Sequence, residues 1–130
     1  MIALDTNLLV RLAVRDDAAQ LAKINALLTD EVALILTSVL LETEWVLRSR
    51  YQLQPVEIAV FMRYLATADG LEFENPASTL TAIAAYEKGM GFADALHASI
   101  ASHLRLPFFT FDTALKRKAA RIQAFQIETP

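Results

Sequence analysis

Four acidic side chains, those of Asp5, Glu42, Asp94 and Asp112, are candidates for binding a divalent metal ion. Asp5 and Asp112 each follow a short apolar run typical of a buried strand, and Asp94 follows Gly91 at the start of an amphipathic segment. In an open parallel sheet, ligands bind beyond the carboxyl ends of the strands. Helix N-capping is the competing role for Asp5 and Asp112, because a side-chain oxygen at that position satisfies an orphan backbone N–H. For Asp94, in the first turn of a helix, the competing role is a favourable charge at the positive end of the helix dipole.

Glu42 is the fourth acid, and helix capping explains it poorly. It lies one turn into an apolar helical segment, where a capping box would require Val39, a poor cap, at the N-cap. Helical spacing places Glu42 on the same stripe as Trp45. The same spacing directs Glu44 to the opposite side, where it forms an ordinary surface pair with Arg48. Glu42 is therefore predicted to be the inward-facing carboxylate of this helix.

Convergence of these acids implies a bound cation. Clustered carboxylates raise one another's pKa and resist ionising together, and a hard divalent cation removes that conflict. Mg²⁺ and Mn²⁺ favour carboxylate oxygens and retain several waters. Such a site suits phosphodiester hydrolysis, because the metal activates a water and neutralises charge on the transferring phosphate.

Short strands alternating with helices must position these residues. Apolar runs predict strands at 2–4, 32–36, 71–73, 108–111 and 124–127, and their continuity is typical of strands covered on both faces. Helical patterns follow Asp5, run from position 16 or 17 to 28, begin at Pro55, and cover 38–51, 76–88, 92–104 and 112–122. This order predicts a single α/β domain over residues 1–130, with a mainly parallel central sheet flanked by helices in three layers.

Composition excludes several classes of protein. The chain has 130 residues, a net charge of -3, 55% hydrophobic residues and no cysteine. Disorder is excluded by the apolar content, and a disulfide framework or thiolate zinc site by the absence of cysteine. No apolar stretch approaches the ~20 residues of a membrane span, so a cytoplasmic protein without a membrane partner is expected.

Four segments of the chain closely resemble PIN-domain ribonucleases, in particular the VapC-type toxins of bacterial toxin–antitoxin pairs. The segments are IALDTN at 2–7, LLETEWVL at 40–47, GFADALH at 91–97 and FTFD at 109–112. The resemblance implies endonucleolytic cleavage of RNA that depends on Mg²⁺ or Mn²⁺, a homodimer, and inhibition by a cognate antitoxin protein. It maps the catalytic, metal-binding acids onto Asp5, Glu42, Asp94 and Asp112.

Three further polar residues are candidates for supporting the site. Some family members carry another acid where this chain has His97, which puts a full second metal site in question. His97 lies three residues after Asp94 and is expected either to orient a ligand or to be satisfied by helix packing. Asn7 and Thr110 match polar positions of the family, and a turn or capping role competes for each.

Basic and aromatic residues provide candidates for binding partners. The candidates for holding RNA phosphates are Arg11, Arg48 and Lys116, with Arg50, Lys88 and Arg117 as further possibilities. No aromatic surface for stacking single-stranded RNA is recognisable, so base specificity is not predicted. The dimer face is expected among Trp45, Phe61, Met62 and Tyr64, with ordinary core packing as the alternative.

Two other functions compete with the ribonuclease. A catalytically weak or inert protein-interaction module of the same fold would explain the high apolar fraction and the absence of a dense basic patch. A phosphatase with Asp5 as nucleophile is a weaker possibility, because the segment Asp5-Thr6-Asn7 lacks the second aspartate that such enzymes need.

Overall fold

Three short parallel strands and the helices between them make up the first part of the chain. The computed structural model describes residues 1–130, which group into two units, Met1–Pro76 and Ala77–Pro130. In the first unit β2 (Ala33–Ile35) lies between β1 (Ile2–Ala3) and β3 (Leu71–Phe73) and is parallel to both, pairing Ile2 with Ala33 and Ile35 with Phe73. The elements of this unit are β1 (Ile2–Ala3), α1 (Thr6–Val14), α2 (Ala18–Asp30), β2 (Ala33–Ile35), α3 (Thr37–Ser49), α4 (Pro55–Thr67) and β3 (Leu71–Phe73).

The second unit carries its own pair of parallel strands. Phe108 pairs with Ile127, and Phe109 pairs with Glu128. The elements are α5 (Pro76–Glu87), which begins at the unit boundary, α6 (Phe92–His103), β4 (Phe108–Phe109), α7 (Thr113–Arg121) and β5 (Ile127–Glu128). In both units parallel pairing requires a crossover between strands, and helices supply it.

Local sequence signals fix where the helices begin. The Asp17 side chain accepts a hydrogen bond from the Gln20 backbone N–H at 3.0 Å and caps α2. Gln54 and Glu57 form a capping box at the start of α4, with Pro55 at the first helical position. These starts agree with the sequence prediction because caps depend on residues within a few positions of each other.

The apolar core of the first unit lies between its helices and its sheet. Leu9 of α1, Leu47 of α3 and Ile58 of α4 are fully buried, and so is Ile35 of the central strand. Helix α1 packs on α2 and α3, and α4 packs on α3 and β3. This packing fixes α1 against α3 and so sets the position of Asp5, at the start of α1, relative to Glu42 in α3.

The α/β prediction with a parallel sheet flanked by helices is confirmed, while several details are wrong. The strands are two or three residues long, and the last one begins at Ile127 rather than at 124. Phe109 and Phe111 are exposed, so the segment 108–111 is not covered on both faces; β4 pairs with only one strand. No helix has the length and apolar character needed to cross a membrane. A single domain over 1–130 stays a prediction.

Candidate active site

Asp5 and Glu42 both accept hydrogen bonds from Thr6, Asp5 from the backbone N–H and Glu42 from the hydroxyl group. Asp5 is the N-cap of α1, and one of its carboxylate oxygens accepts a hydrogen bond from the Thr6 backbone N–H at 2.7 Å. The Thr6 hydroxyl donates to the Oε1 atom of Glu42, in the second turn of α3. Thr6 is buried whereas both acids are exposed. The buried hydroxyl therefore holds one oxygen of an exposed carboxylate.

The two acids lie at one end of a cleft between α1 and α3. The cleft has a volume of about 360 Å³. Its wall carries two acidic and two basic side chains together with two aromatic rings; the lining residues are Asp5, Thr6, Asn7, Val10, Arg11, Glu42, Trp45, Val46, Arg50 and Tyr51. The first unit thus supplies a carboxylate pair in a concave, solvent-filled space.

The prediction for the faces of α3 is wrong for its two glutamates. Glu44 is only 3% exposed, and its carboxylate accepts a hydrogen bond at 2.7 Å from the half-exposed Arg48. Glu42, expected to point inward, is exposed to the cleft. Because α3 packs against both α1 and α4, its buried surface is wide and includes Glu44. The predicted pairing of Glu44 with Arg48 is correct, but it is not an ordinary surface pair.

Asp94 and Asp112 form a second acidic pair, in the second unit. Asp94 lies in the first turn of α6, after the N-cap Gly91. Asp112 is the N-cap of α7 and accepts a hydrogen bond from the Leu115 backbone N–H at 3.0 Å. Both line a pocket of about 160 Å³ whose floor includes Gly91 and Lys118. A negative charge at each of these helix N-termini is favoured by the helix dipole.

Thr110 and Lys118 are polar neighbours of this second pair. The Thr110 hydroxyl accepts a hydrogen bond from the Asp112 backbone N–H at 3.1 Å, which is the turn role that competed with ligand support. The Lys118 ammonium donates to the Gly89 carbonyl at 2.9 Å and lines the same pocket as the acids. Lys118 thus brings a positive charge to the pocket, a role that the sequence did not single out.

The other predicted residues fall into different settings. His97 is exposed on α6, so burial by helix packing does not account for it. Asn7 is exposed and lines the cleft of the first unit. Arg48 is paired with Glu44, whereas Lys116 lies half-buried on α7, outside the pocket of the second pair.

Arg11 is held firmly at the far end of the first cleft. Its guanidinium donates to the Tyr51 hydroxyl and forms an ion pair with Asp16. The hydrogen bond to Tyr51, aided by the charge of Asp16, raises the pKa of Arg11 above its ordinary value although desolvation opposes the shift. Arg11 is therefore a permanent positive charge with a fixed direction.

Two aromatic rings share this cleft with arginines, which differs from the expectation that the chain has no surface for stacking bases. The Arg11 guanidinium lies 5.9 Å from the centre of the Tyr51 ring, and that of Arg50 lies 5.9 Å from the centre of the Trp45 ring. The segment 42–51 showed only helical periodicity. Its convergence with α1 depends on packing that spacing along one helix does not reveal.

The donor set of each pair fits a hard divalent cation. Every donor is a carboxylate or hydroxyl oxygen, as Mg²⁺ and Mn²⁺ prefer. The structure has no group of three or more His, Asp or Glu side chains placed to hold a metal ion. Mg²⁺ commonly binds to one or two carboxylates and keeps the rest of its shell as water and substrate phosphate. A carboxylate pair is therefore a sufficient protein contribution, and the union of both pairs at one metal stays a prediction.

Comparison with known proteins identifies the family. A family model described as the PIN domain matches residues 2–121. That match covers both acidic pairs and all strands except β5. No curated protein matches the chain. Because the family model covers nearly the whole sequence, the chain belongs to the PIN-domain family.

Proposed function

We propose that this protein is a metal-dependent endoribonuclease and that it is the toxin of a toxin–antitoxin pair. Membership of the PIN family supports nuclease-type chemistry on RNA with a divalent metal. The observation that carries the proposal is the repeated arrangement of the acids: in each unit an N-cap aspartate shares a cleft with an acid from another helix.

In this proposal Asp5, Glu42, Asp94 and Asp112 are the catalytic acids and hold Mg²⁺, with Mn²⁺ as a substitute. When bound, the metal supplies an activated water and neutralises charge on the phosphate. Thr6 holds one oxygen of Glu42, a residue of the cleft wall, and leaves the second oxygen without a bond to Thr6. That both pairs serve one metal ion rests on the sequence and on family membership.

RNA digestion tests the proposal directly. Wild type, Asp5→Asn and Asp94→Asn are incubated with single-stranded RNA in Mg²⁺, in Mn²⁺ and in chelator. We expect cleavage by the wild type with metal only, and a loss of at least 100-fold in each variant. Glu72→Gln, an exposed acid on β3 outside both clefts, is the matched control and should cleave normally. Equal cleavage by all the proteins, or cleavage in chelator, refutes the proposal.

The toxin role and the partners are proposed on the family resemblance, with a cytoplasmic location where RNA is accessible. Expression of the wild type should arrest growth, and Asp5→Asn should abolish the arrest. We expect a small reading frame that lies upstream of the toxin gene and overlaps it, and that encodes a DNA-binding antitoxin. Expressing this antitoxin together with the toxin should suppress the arrest. Arrest that persists in the Asp5→Asn variant would separate toxicity from catalysis.

An interaction module with a weak site is the second candidate, and one observation favours it. The outer surface of α4 exposes Val56 and Val60, at 70% and 67%, and an apolar surface of this kind suits contact with another protein. We propose that the same surface forms the homodimer. Met62, expected at the dimer face, is buried in the core. Calorimetry separates the two functions: the nuclease binds Mn²⁺ at millimolar concentrations or below, whereas the module binds a partner peptide and no metal.

A further inference from the structure

The basic and aromatic end of the α1–α3 cleft has no role in holding a metal ion. It is formed by Trp45, Arg50 and Tyr51, which lie in or just after α3, and by Arg11 of α1. Each aromatic ring has a guanidinium group over it, at 5.9 Å between the guanidinium carbon and the ring centre, which is within the range of a cation–π interaction. Rings paired with arginines in a groove are the elements with which proteins bind single-stranded nucleic acid.

Trp45 is unusually open for an indole. Its exposed fraction is 49%, although tryptophan is normally well buried. Glu42 lies three residues earlier in α3, so that both residues stand on the same face, about one turn apart. The exposed ring is therefore a neighbour of the acidic pair and part of the same cleft wall.

The cleft is acidic at one end and basic at the other, and the charge changes from negative to positive towards the C-terminal ends of both α1 and α3. Thr6 contacts Glu42, and five residues later Arg11 contacts Tyr51, just beyond the end of α3. At about 1.5 Å per residue, Thr6 to Arg11 spans roughly 8 Å along α1, and Glu42 to Arg50 roughly 12 Å along α3. That length fits two or three stacked nucleotides at about 3.4 Å each.

We propose that this end of the cleft is a nucleotide subsite, in which one base of single-stranded RNA stacks on Trp45 while Arg50 and Arg11 contact the flanking phosphates. The proposal rests on the proposed ribonuclease function and names the part of the substrate that this surface recognises. Stacking is tolerant of base identity, so the subsite selects an unpaired strand rather than a sequence.

Charge complementarity favours RNA over a protein partner at this surface. Two arginines bracket the exposed rings, and the polyanionic backbone of RNA matches them. Arg11 is already oriented by Asp16 and Tyr51, so that little side-chain freedom is lost when a phosphate binds. The exposed surface of α4 that we assign to the dimer, in contrast, presents the apolar side chains of Val56 and Val60.

The chain contains one tryptophan, so fluorescence excited selectively in tryptophan, at the red edge where tyrosine does not absorb, reports on Trp45 alone. The wild type is titrated in chelator, where the proposed cleavage does not occur, with a 12-nucleotide single-stranded RNA. The same length of abasic strand and an RNA duplex are the matched probes. We expect saturable quenching by the single strand and little change with the abasic strand or the duplex. Equal responses to the normal and abasic strands overturn base stacking.

Affinity measured by anisotropy of a labelled strand provides the second readout. Trp45→Ala should weaken binding to the normal strand by roughly 5- to 150-fold, the contribution of one stacked base, and leave binding to the abasic strand unchanged. Trp45→Phe should retain most of the affinity. Tyr64→Ala removes an aromatic ring that is also 49% exposed but lies outside the cleft, and should have no effect.

Two further measurements keep the outcomes distinct. Mn²⁺ affinity and metal-dependent cleavage test the ribonuclease, whereas quenching and anisotropy in chelator test the subsite without requiring catalysis. If Trp45→Ala binds RNA as the wild type does and instead changes the oligomeric state in sedimentation, the ring belongs to a protein interface and the subsite is wrong. Retained Mn²⁺ binding in Trp45→Ala with the expected loss of RNA affinity supports it.

Discussion

Asp112 has two tasks that a pair of substitutions separates. It caps α7 through a hydrogen bond from the Leu115 backbone N–H, and it is proposed to contribute a charged ligand oxygen. Asparagine is about as good an N-cap as aspartate, whereas alanine provides no acceptor. Asp112→Asn therefore removes the charge and keeps the cap, and Asp112→Ala removes both.

The expected stabilities follow from the cap alone. Loss of an N-cap side chain costs typically ~1 kcal/mol. With an entropy of unfolding of ~2.1 cal/mol/K per residue, a chain of 130 residues shifts its melting temperature by about 4 °C for each kcal/mol. Asp112→Ala should thus melt about 4 °C below the wild type in chelator. Asp112→Asn should melt within about 2 °C of it, since only the helix-dipole interaction is lost.

The two properties are measured side by side. Differential scanning calorimetry in chelator gives the melting temperatures, and RNA digestion with Mn²⁺ gives the activities. Both variants should lose at least 100-fold in activity although only one is destabilised. If activity instead follows stability, with Asp112→Asn active and Asp112→Ala inactive, the carboxylate is a cap and the metal-ligand assignment is refuted.

Four further outcomes are expected. Thr6→Val should weaken Mn²⁺ binding by about 10- to 100-fold in calorimetry, because Glu42 loses the hydroxyl that orients it, and Thr6→Ser should restore the affinity. Mn²⁺ at 100 times its dissociation constant should stabilise the wild type by ~2.7 kcal/mol, or about 10 °C, and an unchanged melting temperature would count against a metal site. Arg48→Ala should cost about 1 kcal/mol in urea unfolding, a modest value because Arg48 is half exposed while its partner Glu44 is buried; Arg48→Lys should recover part of the loss. Leu9→Ala should cost about 2–5 kcal/mol by the same measurement, because the residue is fully buried where α1 meets α3.

Features that depend on near neighbours in the sequence were predictable. Asp17 begins α2 and Pro55 begins α4 as expected, because caps and proline act within one turn. The strand Leu71–Phe73 has the expected bounds. Burial was harder to predict. Helical spacing places Leu21, Ile24, Leu27 and Leu28 on one stripe of α2, yet only Ile24 is buried, since burial depends on which elements pack against a helix.

The two glutamates of α3 show the same dependence. A helical wheel assumes one buried face, and on that assumption Glu42 shares the apolar stripe of Trp45. In the structure α3 contacts α1 on one side and α4 on another. Glu44 is buried and paired with Arg48, whereas Glu42 and Trp45 are open to the cleft. The acid that sequence singled out as functional remains the candidate, for a different reason: it is exposed in a cleft rather than buried.

Capping and metal binding need not exclude each other at Asp5 and Asp112. In each residue one carboxylate oxygen accepts the backbone hydrogen bond that starts the helix. An ionised carboxylate has two oxygens and about four lone-pair positions, so the second oxygen can still coordinate a cation. The cap also fixes the direction of that oxygen, which lowers the entropy lost on binding. The helix start therefore orients the ligand oxygen. Helix capping, which the sequence offered as an alternative to metal binding at these aspartates, would thus assist metal binding.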